Sequence, residues 1–364
     1  MQQYLNALLS QMSKLGASDL FLSSNRKPAF RIQGRIVNSD GQMLSSQHLS
    51  RLCDTLLDTR HRELFNQQLD THMCLNAPDD AGRFRISFFH HQDGPGMVVR
   101  AIRQPLPTPD LLGLPDNLKK IVMHKRGLIL FAGPAGSGKS TSMAALLHYR
   151  NQHDAAHIIT LEEPVEYLLP QGKSIINQRE IGHHALSYES ALENALRQSP
   201  DVLVIGEARN GRIIEQALHF ADTGHLVTTT LHATGAAQSL ERILQQFPAE
   251  KREAVQLNLA RQLHAVVAQQ LVPGKSGKLV AAFEVLTGTP LIQDLISRGN
   301  FQALNDAMHK GSTSGMQTMD QSLYNLYRSG QIDAEIALEF AHSYRDMRLR
   351  IRLQVPGSAE ATVA

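Results

Sequence analysis

The apolar positions change period several times along the first hundred residues. Tyr4, Leu5, Leu8, Leu9, Met12 and Leu15 fall at helical spacing and predict a helix over residues 3–15. Residues 18–22, 30–37, 82–89 and 97–102 read as strands. In the third of these, Phe84, Ile86 and Phe88 alternate with Arg83, Arg85 and Ser87. One strand face is therefore apolar and the other can carry arginines. A small α+β domain is expected over 1–103.

Residues 104–116 hold four prolines and read as a linker. Beyond it, apolar strand runs at 128–132, 157–161, 201–205 and 225–231 alternate with helical patterns at 141–150, 187–198, 211–221 and 236–246. That alternation predicts an α/β domain over 117–289, with a parallel sheet and crossover helices. From 290 to 353 the chain reads as helical, and 354–364 as a disordered tail. There is no internal repeat of 20–50 residues.

Composition narrows the classes. Hydrophobic residues make up 42% and charged residues 19% of 364, as in ordinary globular proteins. The apolar run at 127–132 is far too short to span a bilayer, and the N-terminus lacks a signal-peptide pattern. A soluble cytosolic protein is expected. Two cysteines, Cys53 and Cys74, exclude both a disulfide framework and a four-thiolate zinc site. A net charge of +2 with no Trp argues against a strongly electrostatic nucleic-acid binder.

The chemistry enters at Gly133-Pro134-Ala135-Gly136-Ser137-Gly138-Lys139-Ser140-Thr141, which contains GxxxxGK[ST] between an apolar strand and a helix. Glycines let the backbone N–H groups turn inward onto phosphate oxygens. The helix start adds unpaired N–H groups and the positive dipole end. Lys139 can reach the β- and γ-phosphates of ATP, and Ser140 offers a hydroxyl to Mg²⁺.

Two acidic sites follow. Glu162, Glu163 and Glu166 stand at the end of the 157–161 strand, where Pro164 closes it. A carboxylate there could take a proton from attacking water, or form a solvated acidic turn. Glu207 follows the buried run 201–205, the Walker-B layout that places an acid at the metal or its water shell, or in an ion pair with Arg209. His225 and His232 bracket the fourth strand; simple hydrogen bonding, phosphate sensing and an interface role all remain open.

Together, Gly133–Ser140, Glu162–Glu166, Ile205–Arg209 and Thr223–His225 with Leu231–Ala233 resemble the secretion ATPase superfamily, and within it the type IV pilus retraction ATPases, the PilT/PilU family. Gly16–Leu20, Gln33–Arg35, Gln178–Glu180, Phe247–Glu250 and Gly315–Asp320 are similar to further family segments. The resemblance implies a homo-hexameric ring of subunits, each with a PAS-like N-terminal domain and a RecA-like ATPase domain. By motif, Glu166 would be the general base and Glu207 the Walker-B acid, holding Mg²⁺ partly through water. His225 and His232 would form the histidine box, and Arg83, Arg85 and Arg100 would approach the phosphates. A PilT-like motor and an inner-membrane pilus platform protein would be partners at the cytoplasmic face. The absence of a tetracysteine site separates the chain from the assembly ATPases. Asn210 replaces the family's Asp, 291–296 reads Leu-Ile-Gln-Asp-Leu-Ile against Ala-Ile-Arg-Asn-Leu-Ile, and the arginine-rich ending at 343–353 is closer to PilU. A nucleic-acid-dependent RecA-like motor and a weakly catalytic subunit of a mixed ring are the rivals.

Overall fold

The structure is a computed structural model that describes residues 2–77, 82–102, 105–311 and 315–353. The tail expected over 354–364, and Gln104 of the linker, lie outside the described residues. Contacts group the chain into two compact units: Met1–Leu106 with Pro164–Leu168, and Pro107–Glu163 with Leu169–Ala364.

The first unit runs α1 (Gln2–Lys14), β1 (Asp19–Ser23), β2 (Ala29–Ile32), β3 (Arg35–Asn38), α2 (Ser46–Leu56), α3 (Thr59–Gln68), β4 (Asp70–Asn76), β5 (Arg83–His91) and β6 (Gly94–Ile102). Its strands form an antiparallel sheet in the order β3-β2-β1-β6-β5-β4. The alternation read from β5 is realised, with Phe84, Ile86 and Phe88 buried among Leu5, Leu9 and Met12 of α1 and Leu49 and Leu52 of α2. The single strand expected over 30–37 is instead a hairpin. Gln33 and Gly34 both take positive φ, 48° and 81°, and fold Arg35 back onto Ile32. Two consecutive left-handed residues are the turn that suits the twist of paired strands.

The second unit runs α4 (Asn117–Val122), β7 (Gly127–Ala132), α5 (Lys139–His153), β8 (His157–Glu162), β9 (Ile175–Glu180), α6 (Tyr188–Ala195), β10 (Val202–Ile205), α7 (Gly211–Asp222), β11 (Leu226–Leu231), α8 (Ala236–Gln245), α9 (Ala249–Gln262), β12 (Leu263–Pro273), β13 (Leu279–Thr287), α10 (Pro290–Ser297), α11 (Ala303–Lys310), α12 (Met319–Arg328), α13 (Ala334–Phe340) and α14 (Tyr344–Leu353). Its sheet has the order β13-β12-β7-β11-β10-β8-β9 and is parallel except for the β13 edge. The expected α/β reading with a parallel sheet holds.

Strand β7 is buried at all six positions because helices cover both faces. Leu128, Leu130 and Ala132 face the core with α7 and α8, while Ile129 and Phe131 face the one with α4 and α5. Each fully buried Leu or Phe contributes about 1.5–3 kcal/mol. This two-sided burial fixes the C-terminal ends of β7, β8, β10 and β11 as one edge.

Candidate nucleotide site

The loop leaves β7 at Ala132 and enters α5 at Lys139. Gly133, Gly136 and Gly138 take φ of 152°, 78° and 89°. A Cβ on Gly133 would also strike the Gln269 carbonyl, and one on Gly138 would lie 2.8 Å from Gln269 Nε2. Gln269, on β12, is buried and its Oε1 accepts from Ser142 Oγ at 2.8 Å. This support residue was not anticipated; a paired Gln269-Gln270 inside an apolar run was the available signal.

Lys139 is 7% exposed, and its Nζ donates to the Gly133 and Pro134 carbonyls, each at 2.8 Å. Burial lowers its pKa, and the nearby Glu207 carboxylate opposes that shift. Ser137 Oγ is buried without a hydrogen-bond partner. Pro134, Ala135, Gly136 and Ser140 are exposed and Thr141 is half-buried. An orphaned hydroxyl, a lysine bonded only to loop carbonyls and an open loop glycine, Gly136, just before the helix start fit a bound phosphate chain.

Glu207 follows β10. Gly206 precedes it because a Cβ there would come within 3.2 Å of both the Leu161 carbonyl and the Tyr188 hydroxyl. The Gly206 N–H donates to Leu161 O at 2.7 Å, and its carbonyl accepts from Thr230 Oγ1 at 2.6 Å. Glu207 Oε2 accepts from Arg209 Nε at 3.0 Å and Oε1 faces His232 Nε2 at 3.0 Å. Arg209 Nη1 reaches Glu163 Oε2 at 2.5 Å, while Glu162 Oε1 accepts from Thr160 Oγ1 at 2.6 Å. Tyr188 lies buried beside these groups; burial first, then Glu163, pushes its hydroxyl pKa up, so it stays neutral.

Among the described residues no cluster of three or more His, Cys, Asp or Glu could hold a metal by itself. Magnesium suits such a site, since it keeps several waters and takes one or two protein oxygens. Ser140 and Glu207 have the hard oxygen donors it requires. When bound it would neutralise charge on the phosphates.

His225 is at the opposite end of β11 from His232. Its Nδ1 lies 3.1 Å from both Phe220 O and Thr223 Oγ1, and its ring packs edge-on against Phe220. The structure does not bring it to the phosphate loop. Glu166 belongs to the Pro164–Leu168 segment grouped with the first unit. Its carboxylate pairs with Arg85 Nη1 at 2.9 Å. Arg83 donates to the Glu166 carbonyl at 2.8 Å, the Val165 carbonyl at 2.6 Å and Asn76 Oδ1 at 2.7 Å. Arg100 lies opposite Arg85 and bonds the buried Asp19 at 2.9 Å, which also faces Arg31 at 3.3 Å. The three arginines therefore share one sheet face, as alternation requires.

The type II/IV secretion system protein profile matches residues 1–337. The chain belongs to that family. The type IV pilus ATPase PilU of Pseudomonas aeruginosa is 42% identical over 354 residues, spanning 97% of this chain and 92% of that protein. The retraction ATPase PilT of the same organism is 37% identical, spanning 92% of this chain and 97% of its own length. A crystal structure of the pilus retraction motor PilT with bound ADP aligns with a TM-score of 0.85 at 35% identity, covering 94% of this chain and 98% of that one. Among the described residues no helix is long and apolar enough to cross a membrane.

Proposed function

We propose that this chain is the subunit of a homo-hexameric, Mg²⁺-dependent ATPase that powers type IV pilus retraction, acting as a PilU-like accessory to a PilT-like motor. The observation that carries the reading is the phosphate cradle Gly133–Ser140 with Lys139 staged on it and Glu207 electrostatically coupled to that lysine. Lys139 would exchange its loop carbonyls for phosphate oxygens, and Ser140 and Glu207 would hold the magnesium side. Glu166 would take the proton of the attacking water, with Arg83 and Arg85 fixing its segment. His232 would report phosphate occupancy through Glu207. The likeness to PilU and PilT over nearly the whole chain supports the biological setting, with an inner-membrane pilus platform protein as the load and action at the cytoplasmic face.

Purified protein is expected to hydrolyse ATP, alone or mixed with its PilT-like partner, and Lys139→Ala to abolish turnover. Wild-type protein that never turns over ATP in either assay contradicts the motor reading. Stimulation by DNA or RNA would move it to a nucleic-acid motor instead. A deletion strain should remain piliated but twitch poorly.

A further inference from the structure

Both oxygens of the Glu207 carboxylate are occupied, one by Arg209 Nε at 3.0 Å and the other by His232 Nε2 at 3.0 Å. Each oxygen keeps a second lone pair, but a metal drawing on Glu207 competes with the Arg209 guanidinium for the same negative charge. The Arg209 guanidinium has a second carboxylate in hand, Glu163, through Nη1. Its side chain is 49% exposed, whereas the backbone around it is pinned. The Ala208 N–H donates to Thr230 O at 3.1 Å, and Asn210 caps α7 through Ile213 N at 3.0 Å. Movement is thus confined to the side chain. A guanidinium fork has donors enough to keep one carboxylate while dropping the other, which an ammonium on a single stem does less well.

We propose that Arg209 is a positioning residue: it holds Glu207 paired and retires onto Glu163 when the magnesium–nucleotide complex claims Glu207. The inference rests on the nucleotide-site reading above. It treats Arg209 and the metal as competitors for one carboxylate, with Glu163 as the resting place that makes release possible. Removing Arg209 therefore favours magnesium. Removing the Glu163 charge commits Arg209 to Glu207 and disfavours it. A merely structural role for the Glu163–Arg209–Glu207 chain would shift both variants in one direction.

The test is a magnesium titration of fluorescent ADP binding to the full chain, which needs no turnover. Half-saturating Mg²⁺ should fall in Arg209→Gln and rise in Glu163→Gln, each by about two- to fivefold, the range an exposed ion pair supports. Arg209→Lys, which keeps the charge and tests the fork, should shift in the same direction as Arg209→Gln by less. It also guards against misfolding of the Gln variant. Shifts in the same direction for Arg209→Gln and Glu163→Gln, or no shift in either, overturn the proposal while nucleotide binding stands. A wild-type chain that binds no nucleotide with or without Mg²⁺ overturns the nucleotide-site reading and this proposal together.

Discussion

Asn210 shows how a single departure from the family pattern is absorbed. Asn lacks the charge of the family's Asp, and the position is the N-cap of α7. Asn210 Oδ1 accepts from Ile213 N at 3.0 Å, with extended backbone at φ −146°. Asn and Asp cap with nearly equal strength. An Asp would gain from the helix dipole, roughly 0.3–1 kcal/mol, but would face Glu189, whose Oε1 is 3.5 Å from Asn210 Nδ2. Asn210→Asp should therefore leave the urea midpoint almost unchanged, and Asn210→Ala should cost about 1 kcal/mol. A neutral Ala variant, or an Asp variant more than about 1 kcal/mol off the wild type, contradicts the capping role.

Elements with one dominant pattern were legible in the sequence. Strand β7, α5, β8, β10 and β11 announce themselves because their runs are continuous and the loop between the first two carries its own chemistry. Strand β3 was fused with β2 because Gln33-Gly34 is a weaker turn signal than Asn-Gly, although the φ signs demand the turn. Helix α3 was missed because only His61 and Phe65 are buried along it. Strands β12 and β13 were missed since the alternation rule anticipates no antiparallel hairpin on a parallel sheet. That omission hid Gln269, the side chain bracing the phosphate loop. Replacing it by Leu would leave the buried Ser142 hydroxyl without its acceptor, at a cost of about 1–3 kcal/mol. In denaturation measurements, Gln269→Leu should destabilise by that range, and adding Ser142→Ala should recover part of the loss. A double variant no better than the single would show that the hydrogen bond is not what Gln269 supplies. The candidate site was half legible: local motifs gave Lys139 and Glu207, but partners distant in sequence, Glu163 for Arg209 and Arg85 for Glu166, required the fold.

At the scale of the whole second unit, one buried carboxylate links the sheet to the helices that follow it. Glu284 on β13 is 3% exposed. Its Oε1 accepts from Ala236 N at the start of α8, at 2.6 Å, and its Oε2 from Met319 N at the start of α12, at 3.4 Å. Two helix N-termini are thus satisfied by one side chain, and the C-terminal helices are tied to the sheet edge. Burial raises the pKa of this carboxyl; the two backbone N–H groups and His342 oppose the shift, and Asp320 adds to it. In the unfolded chain the proton leaves near the ordinary Glu value of about 4.3. The folded chain retains it to higher pH. Between those two values the unfolded state binds fewer protons, so stability falls as pH rises. Glu284→Gln removes the ionisation while Gln Oε1 can still accept from Ala236 N. Urea midpoints of wild type and variant, measured in steps from about pH 4 upward, should therefore diverge in slope, with the wild type losing stability relative to the variant as pH climbs. The absolute midpoint of the variant reports the lost bond to Met319 N, and only the slope reports the proton. A difference that stays constant with pH means that Glu284 holds its proton equally in the folded and unfolded chain, with the two helix starts and His342 offsetting the effect of burial.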